Sequence, residues 1–195
     1  MKRRLLFAVL AMVAMCAAAT DRFYIEDFTI EPGETRTVSI LLDNETAYTA
    51  FQTDLYLPDG LTVEQEDGDY IFNLTSRKGR DHNIASQLQA DGAIRIMSYS
   101  PSIKPYSGNS GALVTFNVTA SANFGGTKSI ELKNTLFTTI NGSEIPFNDE
   151  ISQVIAPLND LSGEILFEEG GSKTTAMTWD EEIITYDYIM HLAGY

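Results

Sequence analysis

The chain has 195 residues, of which 27 are acidic and 13 basic, and a formal net charge of −14 at pH 7. This length suits one domain with short extensions. The negative charge disfavours nucleic acid as a partner because it repels phosphate groups. The single cysteine, Cys16, lies near the amino terminus, so the rest of the chain has no disulfide, cysteine nucleophile or thiolate metal site.

Residues 1–19 have the pattern of a signal peptide. Positions 2–4 are basic, positions 5–14 are apolar, and small residues follow up to Ala19. The apolar run is shorter than a membrane-spanning helix needs. We expect cleavage near Ala19 and a bacterial protein that is secreted or held at the outer cell surface. Lipid attachment at Cys16 is the alternative, and it is the one predicted route to a membrane.

Residues 20–157 predict an all-β domain. Apolar and polar residues alternate in short runs separated by turn residues, and no helical period occurs before residue 157. We expect an antiparallel two-sheet β-sandwich. The predicted strands cover residues 20–30, 35–42, 51–57, 61–63, 70–74, 92–99, 112–120, 128–132, 136–140 and 151–156, and more weakly 81–90.

The clearest alternation occupies residues 51–57. The odd-numbered positions, beginning with Phe51, lie on one side of the predicted strand, and Gln52, Asp54 and Tyr56 lie on the other. Proline at position 58 ends the strand because it lacks a backbone donor. We predict a central strand with its odd-numbered positions buried and a partner bound on the polar side. The alternative is an ordinary polar sheet face.

A second candidate contact region is the long loop at residues 100–111, which contains two prolines and two glycines. Loops of this length on a rigid sheet often carry recognition. Tyr99 and Tyr106 are its candidate contact residues. The alternative is that both tyrosines cover the edge of the core.

Two charged segments are predicted to be solvated loops. Residues 64–69 carry four carboxylates but lack the spacing of a calcium-binding loop, so no metal site is predicted. Arg77, Lys78 and Arg80 crowd into residues 76–82. We interpret this segment as exposed to water rather than as a contact for an acidic partner.

The sequence contains no recognisable set of catalytic residues. The only histidines are His82 and His191, and no Gly-x-Ser-x-Gly, His-Glu-x-x-His or phosphate-loop motif occurs. A lone histidine is more often a packing or surface residue than a general base. We therefore expect a non-catalytic protein without a cofactor.

The ordered series of these features resembles the cohesin family. The similar segments are individually common, and together they span about residues 23–156. They are Pro-Gly-Glu-Thr at 32–35 before an alternating strand, Phe51 and Gln52 opening a strand that closes on Pro58 and Leu61, residues 92–99, Ser-Gly-Ala-Leu at 110–113, and Lys-Ser-Ile-Glu-Leu at 128–132.

The resemblance implies a jelly-roll β-sandwich that is not an enzyme. It also implies that one sheet face binds a protein, as cohesins bind the dockerin modules of polysaccharide-degrading enzymes. Gln52, Asp54 and Tyr56 correspond to cohesin positions that take part in this contact. The implied partner is a dockerin-like module or another exported protein.

Two other functions stay open at this point. A carbohydrate-binding module would stack sugar rings on exposed aromatic side chains, and the available set is Tyr56, Tyr99 and Tyr106. The partner would then be a polysaccharide. A structural subunit of a surface adhesin would instead add strand to strand at an open sheet edge.

Residues 158–195 form an acidic tail with a different pattern. Residues 168–175 resemble a flexible hinge, and Thr178 with Glu181 fits a helix capping box. We predict a short terminal helix that either packs on the sandwich or docks to another protein or the cell surface. Its apolar stripe consists of Ile183, Tyr186 and Met190, with Ile184 and Tyr188 beside them.

Overall fold

A computed structural model describes residues 21–156. These residues form strands, turns and loops without a helix, so the all-β prediction is confirmed. In this part of the chain no helix has the length and apolar character needed to cross a membrane. The predicted signal peptide with Cys16, and the predicted tail with its hinge and terminal helix, lie outside the described residues.

Fourteen strands build the described part of the chain. They are β1 (Arg22–Ile25), β2 (Phe28–Thr29), β3 (Thr35–Asp43), β4 (Tyr48–Tyr56), β5 (Leu61–Val63), β6 (Gln65–Glu66), β7 (Asp69–Tyr70), β8 (Asn73–Leu74), β9 (Asn83–Leu88), β10 (Ile94–Tyr99), β11 (Ala112–Ala120), β12 (Gly126–Thr139), β13 (Glu144–Pro146) and β14 (Glu150–Ala156).

The strands form two main sheets and one separate hairpin. The smaller sheet has the order β1-β3-β11-β5, with β8 added to β11, and the larger has the order β2-β14-β12-β4-β10-β9, with β13 added to β12. β6 and β7 form the hairpin. All pairs are antiparallel except the short β2–β14 pair. The chain crosses from one sheet to the other between β3 and β4 and again between β10 and β11. The fold is a jelly-roll sandwich, as predicted.

The core lies between the two sheets. Inward positions alternate with polar ones along β3 and β11, and the facing strands of the larger sheet do the same. Phe23, Phe51 and Phe137 form an aromatic cluster with ring centroids 5.1 to 5.4 Å apart. Apolar burial at this scale supports a domain of this size without a disulfide.

β4 is a central strand of the larger sheet, flanked by β10 and β12. Its alternation is the predicted one over the predicted residues: Phe51 and Leu55 are buried between the sheets, and Gln52, Asp54 and Tyr56 face outward. β4 begins earlier than predicted because Tyr48 continues the pairing with β12.

Several predicted strands differ from the structure. Residues 20–30 form β1 and β2, which belong to different sheets, and residues 70–74 likewise divide between β7 and β8. Residues 128–132 and 136–140 belong to one strand, β12, in which a bulge at Asn134 (φ 52°) replaces the predicted turn. The weakly predicted strand at 81–90 is β9, and its pattern is weak because an edge strand meets water on several sides.

Candidate functional site

The outer face of the larger sheet carries an apolar row that runs across five strands. Gln52 on β4 pairs with Met97 on β10 and Leu136 on β12, and the register continues to Ala85 on β9 and Pro146 on β13. All five residues are exposed or half-buried. Neighbouring strands lie about 4.8 Å apart, so the row is about 19 Å long. It offers a partner a mostly apolar strip at the centre of a sheet.

A charged row lies next to the apolar row, at the level of Asp54. The Asp54 carboxylate accepts hydrogen bonds from Nε and Nη2 of Arg95 at 2.7 and 2.8 Å and from Nδ2 of Asn134 at 3.0 Å. The hydrogen bonds from Arg95 lower the pKa of Asp54, and those to Asp54 raise the pKa of Arg95.

The two members of this ion pair differ in accessibility. Asp54 is 2% exposed, whereas the Arg95 side chain is 32% exposed. Because Asp54 has three donors around its two oxygens, it holds the Arg95 guanidinium in a fixed orientation. In the predicted site, Asp54 therefore positions the Arg95 side chain, and Arg95 is the member of the pair that is accessible at the surface.

Tyr56 closes the charged end of the face. Its hydroxyl donates to Oδ2 of Asp91 at 2.8 Å, which raises the pKa of Tyr56 and lowers that of Asp91. Lys133 lies beside the Tyr56 ring, with Nζ 5.2 Å from the ring centroid, and forms an ion pair with Glu131. These contacts fix the position of the Tyr56 ring.

Tyr99 and Tyr106 occupy different environments. Tyr99 is 53% exposed at the end of β10, on the same outer face as Gln52. Tyr106 is 4% exposed, its hydroxyl donates to Oγ of Ser98 at 2.8 Å, and burial raises its pKa. Tyr106 is thus a core residue, which corrects its predicted place in a ligand-contact loop. The loop turns back so that the Tyr106 amide donates to the carbonyl of Tyr48 at 2.8 Å.

The segment at residues 76–82 anchors the loop at 100–111, so its prediction as a purely solvated loop is wrong for Arg77. Lys78 and Arg80 are exposed, as predicted. The buried Arg77 guanidinium donates to the carbonyls of Leu42, Ser107, Gly108 and Gly111 and to Oδ1 of Asn44.

Asp81 and His82 complete this anchor. Hydrogen bonds from Ser102 and Ser100 lower the pKa of Asp81 to about 2. His82 stacks on Tyr106 with ring centroids 4.2 Å apart, and its Nδ1 accepts from the Gly79 amide at 2.7 Å. Burial lowers the pKa of His82. His82 is therefore a packing residue of the loop, while His191 lies outside the described residues.

Metal-binding side chains do not converge in the described part of the chain. Between residues 21 and 156, no group of three or more His, Cys, Asp or Glu side chains is placed to hold an ion. Residues 64–69 carry the β6–β7 hairpin, whose acidic side chains are exposed.

Several residues of the outer face were not predicted. Arg95, Met97 and Leu136 join Gln52 and Asp54 through the pairing of β4 with β10 and β12. Alternation in residues 92–99 already places positions 95, 97 and 99 on one side of a strand. It does not reveal which strand lies alongside, because register is a property of the folded sheet.

No protein-family model matches the chain, and no curated protein matches it. Solved cohesin structures are similar to it. A non-cellulosomal cohesin from the hyperthermophilic archaeon Archaeoglobus fulgidus is 13% identical, with a TM-score of 0.54, over 70% of this chain and 92% of that one. A type I cohesin–dockerin complex from Clostridium thermocellum is 12% identical, with a TM-score of 0.58, over 71% and 99%.

A cohesin from Clostridium acetobutylicum, solved in solution, is 15% identical, with a TM-score of 0.56, over 70% of this chain and 91% of that one. At such identities the likeness is one of fold. The share of this chain that these structures cover, 70 to 71%, is close to the share taken up by residues 21–156, which contain both sheets. Residues 21–156 of this chain therefore form a cohesin-like jelly-roll domain.

Proposed function

We propose that this chain is a non-catalytic module that binds a protein partner on the outer face of its larger sheet. The partner face consists of the apolar row around Gln52, with Arg95, Lys133, Tyr56 and Tyr99 beside it. The observation that carries the proposal is that an accessible apolar row lies next to a charged row in which Asp54 fixes the orientation of the Arg95 guanidinium. The cohesin-like fold supports it, since the similar Clostridium thermocellum structure is a complex with dockerin.

The composition of the partner face suits protein recognition. Protein interfaces have an apolar centre and a polar rim, and tyrosine and arginine are enriched among the residues that dominate binding energy. Asp54 holds Arg95 in place before binding. The Arg95 side chain therefore loses less conformational entropy when a partner pairs with it.

The proposed partner is a dockerin-like module or another exported protein. The signal-peptide pattern of residues 1–19 supports export, to the medium or to the outer cell surface. A role in polysaccharide-degradation machinery is the setting that the cohesin-like fold suggests.

The positions of the tyrosines favour a protein over a polysaccharide. Tyr99 pairs with Ala50, at the opposite end of β4 from Tyr56, so the two rings lie about 20 Å apart along the sheet. Tyr106 is buried. In residues 21–156 these three tyrosines therefore do not form one flat platform for a sugar chain.

The edge of the larger sheet is also partly covered. The adhesin alternative needs a free strand edge, and β9 is the edge strand on this side. Oγ of Ser86 on β9 donates to the carbonyl of Tyr70 on β7 at 2.9 Å. The β6–β7 hairpin thus lies against part of this edge, which limits strand addition there.

The test is a binding measurement with the chain from residue 20 onward. Gln52→Lys places a bulky charge at the centre of the apolar row, and Thr37→Lys places the same side chain on the outer face of the other sheet. Asp54 stays intact, because its loss would release Arg95. We compare both variants with the parent in two assays. One is calorimetry with purified dockerin modules, and the other is affinity capture from the exported proteins of the source organism.

We expect the parent and Thr37→Lys to bind the same protein, and Gln52→Lys to weaken the affinity by about tenfold or more. Equal affinity of all three chains would exclude the partner face. Binding to a polysaccharide array that Tyr99→Ala removes would instead support the carbohydrate-binding alternative.

A further inference from the structure

The last strand of the domain carries an apolar stripe on its outer face, and we infer that residues 178–195 of the same chain dock on it. The stripe consists of Ile151, Gln153 and Ile155 on β14. Ile151 is 60% exposed and Ile155 is 42% exposed. Two large apolar side chains left exposed on one strand face form a candidate contact surface.

The stripe differs from the other exposed apolar residues of the described domain. Leu88, Tyr99, Ile103, Ile140 and Ile145 each stand alone on a different strand or loop. On β14, two large apolar side chains share one face with only a neutral glutamine between them. Among the described residues, β14 is thus the one strand that carries two exposed large apolar side chains.

The course of the chain selects the occupant. β14 ends at Ala156, and residues 157–177 join it to the segment at 178–195. An extended chain of this length reaches about 70 Å, which is far more than the outer face requires. A tethered segment also meets the nearest surface at a high effective concentration.

The sequence of the segment complements the stripe. Trp179, Ile183, Tyr186 and Met190 are spaced four, three and four residues apart, which places them on one side of the predicted helix. Such a helix needs an apolar surface, because an amphipathic helix of this length is marginal when isolated in water.

The docking segment and the stripe differ in charge. The segment is acidic, with carboxylates at positions 180, 181, 182 and 187. The stripe itself is neutral, and Glu131, the partner of Ile151 across the sheet, forms an ion pair with Lys133. The exposed Asp27 carboxylate also lies beside the stripe, where it accepts a hydrogen bond from the Gln153 backbone amide at 2.7 Å. Apolar contact rather than charge attraction is therefore what holds the docked segment.

The chain offers a direct probe of docking. Trp179 is the only tryptophan, and from residue 20 onward the chain contains no cysteine. A nitroxide on Gln153→Cys should therefore quench the Trp179 fluorescence through short-range contact. The control is the same label on Gln87→Cys, which lies on the outer face of β9, four strands away and about 19 Å across the sheet.

A second pair of variants tests the apolar contact itself. Ile151→Thr with Ile155→Thr keeps the β-branched shape that suits a strand but removes apolar surface. We expect Trp179 emission to shift to longer wavelength and quenching by acrylamide to increase. Leu88→Thr, an exposed apolar position on β9, should leave both unchanged.

Three results would overturn the inference. They are a Trp179 emission in the parent equal to that of a free peptide, equal quenching from positions 153 and 87, and quenching that grows with protein concentration. The last result would identify a second copy as the occupant. No partner protein enters this experiment, so its failure is separate from a failure of the proposed function.

Discussion

Arg77 is the residue whose environment departs most from its sequence context. It stands in a run of basic residues, yet its guanidinium is buried and donates to four backbone carbonyls and the Asn44 amide oxygen. Burial lowers the pKa of Arg77. Backbone carbonyls rather than a carboxylate compensate for the lost hydration, so Arg77 closes the loop at 100–111 onto the end of β3.

Replacing Arg77 should therefore destabilise the domain. Arg77→Met keeps the length of the apolar stem but leaves several buried carbonyls without donors. We expect the free energy of unfolding to fall by about 3 kcal/mol, measured by urea denaturation.

Arg80→Met is the matched control, because Arg80 is exposed three positions along the same segment. Its effect should stay within about 0.5 kcal/mol. Similar losses for the two variants would show that the hydrogen bonds of Arg77 do not stabilise the loop.

Arg77 and Tyr106 also mark what the sequence cannot provide at the residue scale. A composition rule treats a basic cluster as solvated and a loop tyrosine as accessible. Both residues are buried because two loops, distant in sequence, fold against each other. Gln52 and Tyr56 lie on the outer face as predicted, because strand alternation alone decides their side.

At the scale of elements, strand prediction succeeds where alternation and turn residues agree. β5 and β11 have their predicted bounds, since proline and glycine turns delimit them. β12 was predicted as two strands, because its polar middle looks like a turn. Asn134 instead forms a bulge, and its Nδ2 donates to Asp54 on β4. The bulge thus contributes directly to the charged row.

The Asp54–Arg95 pair should be energetically coupled across β4 and β10. We expect a double-mutant cycle with Asp54→Asn and Arg95→Gln to give a coupling of about 1–2 kcal/mol at pH 7, discounted for the partial exposure of Arg95. The Arg22–Glu150 pair is also bidentate, with both hydrogen bonds at 2.7 Å, but it is more exposed. Its cycle should give less than about 1 kcal/mol.

The coupling should also depend on pH. The folded-state pKa of Asp54 is lowered, so the folded state binds this proton less readily than the unfolded state. The contribution of the ionised Asp54 to the free energy of unfolding is complete above the ordinary aspartate pKa. It is lost as pH falls through the pKa of Asp54 in the folded state. Urea denaturation at pH 7 and at pH 3 measures both cycles. A coupling that is unchanged at the lower pH would contradict this assignment.

At the scale of the whole molecule, the chain interlocks the two sheets. β1 and β2 come from one short segment but join different sheets, and β2 pairs with the last strand, β14. Aromatic rings from both sheets meet at Phe23, Phe51 and Phe137. Neither sheet can bury its inner face alone, so the domain should unfold as one cooperative unit.

Two core variants test this cooperativity, Leu55→Ala in the larger sheet and Leu42→Ala in the smaller one. Both side chains are fully buried, so each change should lower the free energy of unfolding by about 3 kcal/mol. Far-UV circular dichroism and tyrosine fluorescence should give coincident urea transitions in both variants. A variant that separates the two transitions would show that one sheet persists without the other. Because most strand pairs join distant parts of the chain, we also expect refolding in milliseconds to seconds rather than microseconds.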